Sequence, residues 1–305
     1  MQDATALPPP TIRQVVAHPP TSLLSWVRKI LTMALAVLVG LFAVCGTFLL
    51  FAQNGMIYHP MKYEPVLLRG LPPNCHRIEF QTSQGRQVAY YMAPRKAAPN
   101  TKPSRLWVMF HGNASLALDW LDVVENLDTT ATAFLLVDYP GYGECQGKPG
   151  RKRIIESSES AIAALATYLS VTVGELERDL NVVGFSIGGA VGLEFAVRHP
   201  LRQVVLISPF TTLKDVAKLV VGRPLSIFLL ENYDNISRMK ELMAAPSPPQ
   251  FTIYHGTADT LIPPSMGQQL ADLAGTHATF KPAPGADHVT VLPAVEGDLK
   301  TSLRN

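Results

Sequence analysis

The stretch Leu180-Asn181-Val182-Val183-Gly184-Phe185-Ser186-Ile187-Gly188-Gly189-Ala190 decides how the rest of this 305-residue chain is read. Leu180, Val182 and Val183 form an apolar, β-branched run of the kind that makes a buried strand. Gly184 to Gly188 is a G-x-S-x-G, and the small residues after it are compatible with a helix start. Strand, sharp turn and helix are the context in which a serine Oγ stands clear at the tip of a sheet as a nucleophile. The flanking glycines keep the turn uncrowded, and the serine backbone is strained there. With glycine and serine each about 7% of residues, the pentapeptide alone arises by chance about once in ten chains of this length. Its meaning therefore rests on the surrounding chain.

On the N-terminal side, Leu106-Trp107-Val108-Met109-Phe110 reads as another buried strand and ends in His111-Gly112-Asn113-Ala114. Backbone N–H groups in such a turn, that of Asn113 among them, would join the N–H of Ile187 in cradling the negative oxygen of a tetrahedral intermediate. The alternative for His111-Gly112 is a turn around a hydrogen-bonded histidine. Asp138 follows the next strand and opens a long Gly- and Pro-rich loop ending at Pro149. A carboxylate at a strand end is more often a structural acceptor. Asp138 also precedes the serine, whereas this chemistry runs nucleophile, acid, histidine along the chain.

On the C-terminal side that order is met. The strand at 251–254 delivers Asp259 on a loop before Pro263 and Pro264 start a helix, and Asp259 is the expected acid. Pro284-Gly285-Ala286-Asp287 then leads to His288, the expected general base. It would take the Ser186 proton on one ring nitrogen while Asp259 holds the other. Asp215, after the sixth strand, is the second choice for the acid; Asp287 ranks lower, because a neighbour on an extended loop points elsewhere. His76, His199, His255 and His277 read as structural. No H-x-x-x-H or H-x-x-E-H spacing occurs, so neither a metal nor a cofactor is expected.

These motifs sit in an alternating frame. Strands are expected at 77–80, 87–92, 106–110, 133–137, 181–183, 203–207, 251–254 and 279–281, and helices at 116–126, 151–170, 188–199 and 264–274. Alternation of this kind predicts an α/β fold with a mostly parallel eight-stranded sheet. With Lys and Arg at 26 against Asp and Glu at 24 and no basic cluster, a nucleic-acid partner has no support. Cys45, Cys75 and Cys145 match no zinc or redox spacing and allow at most one pair, because Cys45 lies in an apolar helix.

That helix is the other organising feature. Residues 1–29 read as a disordered Pro-rich tail, 30–51 as a transmembrane helix, 52–72 as a juxtamembrane segment and 73–305 as the catalytic domain. The twenty-two uncharged residues Ile30–Phe51 span roughly 33 Å as a helix, against a hydrocarbon core of about 30 Å. Arg28 and Lys29 before them favour a cytoplasmic N-terminus and a catalytic domain on the exterior or periplasmic side, a bias that Lys62 and Arg69 soften. A cleaved signal peptide fits less well, since its leader and apolar core are normally short. Of two glycosylation sequons, the one at Asn235 is preferred, because a sugar on Asn113 would block the oxyanion turn.

Taken together, HGN at 111–113, DYPGYG at 138–143, GFSIGG at 184–189, HGTADTLIP at 255–263 and GADH at 285–288 resemble the α/β-hydrolase superfamily over residues 56–300. The apolar helix followed by MIYHP at 56–60, with NYDNISRM at 232–239, is similar to the membrane-anchored serine hydrolases of the bud-emergence (Bem-type) family and abhydrolase-domain relatives. The resemblance implies lipid or acyl-thioester hydrolysis. Such relatives commonly carry serine where this chain has Cys145, a change that leaves the triad residues intact.

The segment between Pro209 and Asn235 is too short for a large cap and is apolar at 219–221 and 225–230. It predicts a shallow apolar acyl pocket roofed by residues 213–232, with Gly112, Leu225 and Phe228 as substrate-binding residues; the alternative is a helix merely packed on the sheet. The reading is a membrane-anchored serine hydrolase of lipidic or protein-attached acyl esters or thioesters, acting through Ser186, Asp259 and His288. A peptidase or amidase on the same triad, or a catalytically silent binding protein, are the alternatives.

Overall fold

The computed structural model describes residues 23–95, 101–125, 127 and 130–304. The chain divides into two compact units after Cys45. The described part of the first is helical, the beginning of α1 (Leu23–Ile57). Residues 23–29, expected as tail, are thus helix; the rest of the expected tail lies outside the described residues.

The second unit begins with the end of α1 at Gly46 and carries all the strands. In chain order its elements are α2 (Pro65–Arg69), β1 (Cys75–Thr82), β2 (Gly85–Met92), β3 (Arg105–Phe110), α3 (Leu121–Val124), β4 (Thr132–Val137), α4 (Arg151–Tyr168), α5 (Val173–Leu176), β5 (Leu180–Phe185), α6 (Ile187–Ala196), β6 (Gln203–Ile207), α7 (Leu213–Val221), α8 (Asn235–Met243), β7 (Gln250–Gly256), α9 (Pro264–Ala274), β8 (Ala278–Ala283) and α10 (Val291–Arg304). The strands form one sheet in the order β1-β2-β4-β3-β5-β6-β7-β8. β1 and β2 pair antiparallel, as do β2 and β4, and every other pair is parallel. The mostly parallel eight-stranded sheet expected from the alternation is present.

Successive residues of the central strands face opposite layers, which is the two-residue period of a strand at work. Val108, Phe110, Val182, Val204 and Leu206 pack with α4, α6, α8 and α9. Trp107, Met109, Val183, Val205 and Ile207 pack on the other side with α3 and α10. Both faces are covered, so the central strands read as continuous apolar runs rather than alternating ones. Each large apolar side chain removed from water in this way contributes about 1.5–3 kcal/mol.

The helix expected over 116–126 is instead a 3-10 turn at Ala117–Trp120 followed by α3. Asp119 Oδ2 accepts from Ser115 Oγ and Leu116 N, and Asp138 Oδ1 accepts from Ala117 N; these side chains compete with regular helical bonding. All three cysteines are free. Cys145 is buried with its Sγ against the Val88 backbone, and burial pushes its thiol up to about 12.

Candidate active site

β5 ends at Phe185, α6 begins at Ile187, and Ser186 between them has φ 54° and ψ −118°. That left-handed backbone is strained for a serine and is held by its N–H donating 2.8 Å to Ile207 O on β6. The flanking glycines are steric necessities. A Cβ on Gly188 would stand 2.2 Å from Phe110 O, and one on Gly184 would stand 2.3 Å from Gly188 O.

Two further loops meet this turn. After β7, Asp259 is buried and its Oδ1 accepts from Leu261 N at 3.0 Å and Ile262 N at 2.8 Å. After β8, Asp287 Oδ1 accepts from the backbone N–H groups of Val289 and Thr290, folding the turn on which His288 sits. His288 Nδ1 lies 2.7 Å from Asp259 Oδ2 and its Nε2 lies 3.0 Å from Ser186 Oγ. A carboxylate oxygen accepts, so Nδ1 donates and the Nε2 lone pair faces the serine hydroxyl. Phe185 stacks on the His288 ring at 5.4 Å. Burial opposes ionisation of Asp259, but hydrogen bonds from His255, His288 and the Ile262 N–H outweigh it and hold the carboxyl below the usual carboxylate range.

Ser186 and His288 open onto a cavity of about 670 Å³, within the usual range for small-molecule sites, while Asp259 is buried and off its wall. Asn113, Ile187, Leu225 and Phe228 lie on its wall, with Val216, Val220 and Val221 of α7. Gly112, expected as a substrate-binding residue, is not on that wall. It is buried under Phe185, whose ring stands 2.7 Å from where a Gly112 Cβ would be. Among the described residues no three His, Cys, Asp or Glu side chains converge as a metal ion would require.

The other carboxylates serve local structure. Asp215 accepts from Thr211 Oγ1, Thr212 Oγ1 and Lys218 Nζ at the start of α7. Asp138 is fully buried, accepts from Tyr63 OH at 2.6 Å and the Ala117 N–H at 2.9 Å, and is pushed up to about 7 by burial. His111 lies 3.5 Å from Asp138, with its pKa lowered to about 4 by burial, and its Nδ1 donates to Gly112 O. Asn235, the preferred sequon, is fully buried and its Nδ2 donates to Phe210 O, so it offers no acceptor for a sugar.

Two sets of residues escape sequence reading. His255 is fully buried, its Nε2 donates to Ile262 O at 2.9 Å, and the same nitrogen lies 3.5 Å from Asp259 Oδ2. Its place four residues before Asp259, at a strand end, was the only signal. Leu49, Gln53, Met56, Ile57 and His59 also line the cavity, although their sequence reads as the end of an anchor and its linker.

Comparison with known proteins agrees with this fold. The model of the Alpha/beta hydrolase family matches residues 107–293. The chain is 25% identical over 243 residues to the protein MT2364 of Mycobacterium tuberculosis, covering 79% of this chain and 82% of that one. It is 29% identical over 196 residues to the human Alpha/beta hydrolase domain-containing protein 17B, covering 62% of this chain and 61% of the relative. The structure of an esterase of Pyrococcus furiosus superposes with a TM-score of 0.56 at 14% identity, covering 81% of this chain and 96% of the esterase. With a family match over more than half its length and an eight-stranded, mostly parallel sheet carrying a strained serine turn at the end of β5, the chain belongs to the alpha/beta hydrolase family and has its fold.

Proposed function

We propose that this hydrolase is a membrane-anchored serine esterase or thioesterase. The observation that carries the reading is the unbroken chain from Ser186 Oγ through His288 to Asp259, at 3.0 and 2.7 Å, at the wall of an apolar cavity. In the acylation step Ser186 Oγ attacks the acyl carbonyl carbon and its proton passes to His288 Nε2. The carbonyl π electrons move to oxygen, where the N–H groups of Asn113 and Ile187 receive the charge; one such donor is worth about 3 kcal/mol. The imidazolium, stabilised by Asp259, gives its proton to the departing alcohol or thiol, and an acyl-serine remains. Water then repeats the sequence, releasing the carboxylic acid and restoring the Ser186 hydroxyl.

Esters and thioesters are favoured over aminoacyl amides, because no Asp or Glu stands among the described cavity-lining residues to bind an ammonium. The esterase of Pyrococcus furiosus supports the same chemistry by its fold. α1 is 35 residues long and apolar enough to cross a bilayer, and we read it as the anchor, with the catalytic unit on the exterior.

A fluorophosphonate probe applied to membranes containing the full-length protein tests the reading. The wild type is expected to label and Ser186→Ala to lose both label and ester hydrolysis, by about 10³-fold or more. A membrane-impermeant form of the probe should label intact cells as well as lysed ones. Absence of label on the wild type, or label surviving in Ser186→Ala, would refute the serine mechanism; label only after lysis would refute the orientation.

A further inference from the structure

The end of the anchor helix forms part of the wall of the apolar cavity. Leu49, Gln53, Met56 and Ile57 recur at the spacing that places residues on one helical face, and all four line the cavity together with residues of the short cap at 213–232 such as Val220 and Phe228. From Leu49 to Met56 this wall runs about 10 Å, seven rises of 1.5 Å.

The wall is fastened rather than merely adjacent. Gln53 Oε1 accepts from Leu230 N at 2.8 Å and Glu231 N at 2.9 Å in the cap, and its Nε2 donates to Leu50 O. Asn113 closes the other side: its Nδ2 donates to Ile57 O at 2.6 Å and its Oδ1 accepts from His59 N at 2.9 Å. Tyr58 OH donates to Glu231 Oε1 at 2.7 Å. At Gly46 the Phe228 ring stands 2.3 Å from where a Cβ would be, so the cap and the helix interlock where no side chain intervenes. One asparagine therefore ties the proposed oxyanion turn to the helix end, and one glutamine ties the helix end to the cap.

The chemistry of the wall selects the ligand. Both ends of the Gln53 amide are engaged by backbone, and the Ser226 hydroxyl donates to Arg223 O. No Asp, Glu, Lys or Arg lines the cavity among the described residues. Beside His288, His59 is the one described lining side chain that can take up a charge, and an uncharged apolar chain is what fits against Leu49, Met56 and Ile57 without leaving polar groups unpaired.

We infer that the last turns of the anchor helix are a specificity element of the acyl site, with Leu49 limiting the length of acyl chain accepted. The inference rests on the esterase reading above. The helix end then does more than tether the enzyme: it forms one side of the slot in which the scissile acyl group lies.

The test is a chain-length profile of kcat/KM for p-nitrophenyl esters from acetyl to hexadecanoyl, with full-length protein in detergent. Leu49→Trp, which fills the slot, should lower kcat/KM on long esters at least tenfold and leave the acetyl ester within about twofold, moving the optimum to shorter chains. Leu49→Ala should move it to longer ones. Phe51→Ala, whose side chain is 87% exposed and off the wall, should match the wild type. Profiles of both Leu49 variants superimposing on the wild type, with acetyl ester hydrolysis intact, overturn the inference and leave the esterase reading standing. Should Leu49→Trp lose the acetyl ester as well, Leu49→Ala decides: an unmoved optimum there overturns the inference. Absence of hydrolysis of every ester by the wild type removes the esterase reading and the inference with it.

Discussion

Ser186, Asp259 and His288 come from three loops separated by up to 102 positions; the loops of Asp259 and His288 are shaped by hydrogen bonds that their own sequence supplies, and that of Ser186 is held by Ile207 O of β6. Asp259 is fixed by two backbone N–H groups of its own turn, and Asp287 folds the turn that presents its neighbour. His255 adds a less obvious support. Its Nε2 donor ties to Ile262 O while standing 3.5 Å from Asp259 Oδ2, so it clamps both ends of the acid's loop. His255→Phe is expected to lower kcat about tenfold with KM unchanged, in line with the loss of one hydrogen bond near a charge. His255→Gln, which retains a donor, should recover most of that loss; equal kcat in all three proteins would count against the support. Beyond its place at a strand end four residues before Asp259, nothing in the sequence separates His255 from His277, because burial distinguishes them and burial is a property of the assembled sheet.

At the scale of the element, the turn between β5 and α6 is the most tightly specified part of the chain. Gly188→Ala would drive a methyl to 2.2 Å from Phe110 O, a backbone atom of the neighbouring strand that has no room to yield. Overpacking of this kind costs about 1–3 kcal/mol. A thermal melt of the detergent-solubilised protein should show Tm lowered by about 5 °C, with fluorophosphonate labelling reduced. An unchanged Tm would mean that the turn has slack. Elements were legible where their patterns were strong: β6 and α9 have the expected bounds, since a continuous apolar run and a proline start mark them. α10 escaped notice because Pro293 and Gly297 interrupt it. It forms because Val291, Val295, Leu299 and Leu303 recur every four residues and bury against the sheet, so packing overrides propensity.

In the whole second unit, long-range polar contacts fasten helices that the sheet alone would not orient. His199, just beyond α6, lies between Glu159 of α4 and Glu177, with Nε2 at 2.9 Å and Nδ1 at 2.6 Å, and stacks on Phe195. Burial opposes protonation of this histidine, but the bonds to Glu159 and Glu177 prevail and raise its pKa above the usual value. A group raised in the folded state stabilises fully below its unfolded pKa of about 6.5, and that stabilisation is lost as pH rises through the folded value. The Tm difference between wild type and His199→Gln is therefore expected to be larger at about pH 5.5 than at about pH 9. A difference that is constant, or that grows with pH, would contradict the bridge.

Read alone, the sequence determined the class of fold, the serine turn and the order of the three residues around it, because strand alternation, Gly-x-Ser-x-Gly sterics and loop signals are local patterns that survive in one dimension. It also marked the apolar helix, through length and lack of charge. Tertiary structure decided which residues surround the reaction. Gly112 is covered by Phe185, Asn235 is consumed as an internal donor, and the end of the helix that reads as a tether becomes a wall of the cavity. Those outcomes depend on contacts between residues distant in the chain, 25 positions apart for Asn235 with Phe210, 56 for Asn113 with Ile57 and 177 for Gln53 with Leu230, and no local pattern encodes which distant backbone a buried amide will meet.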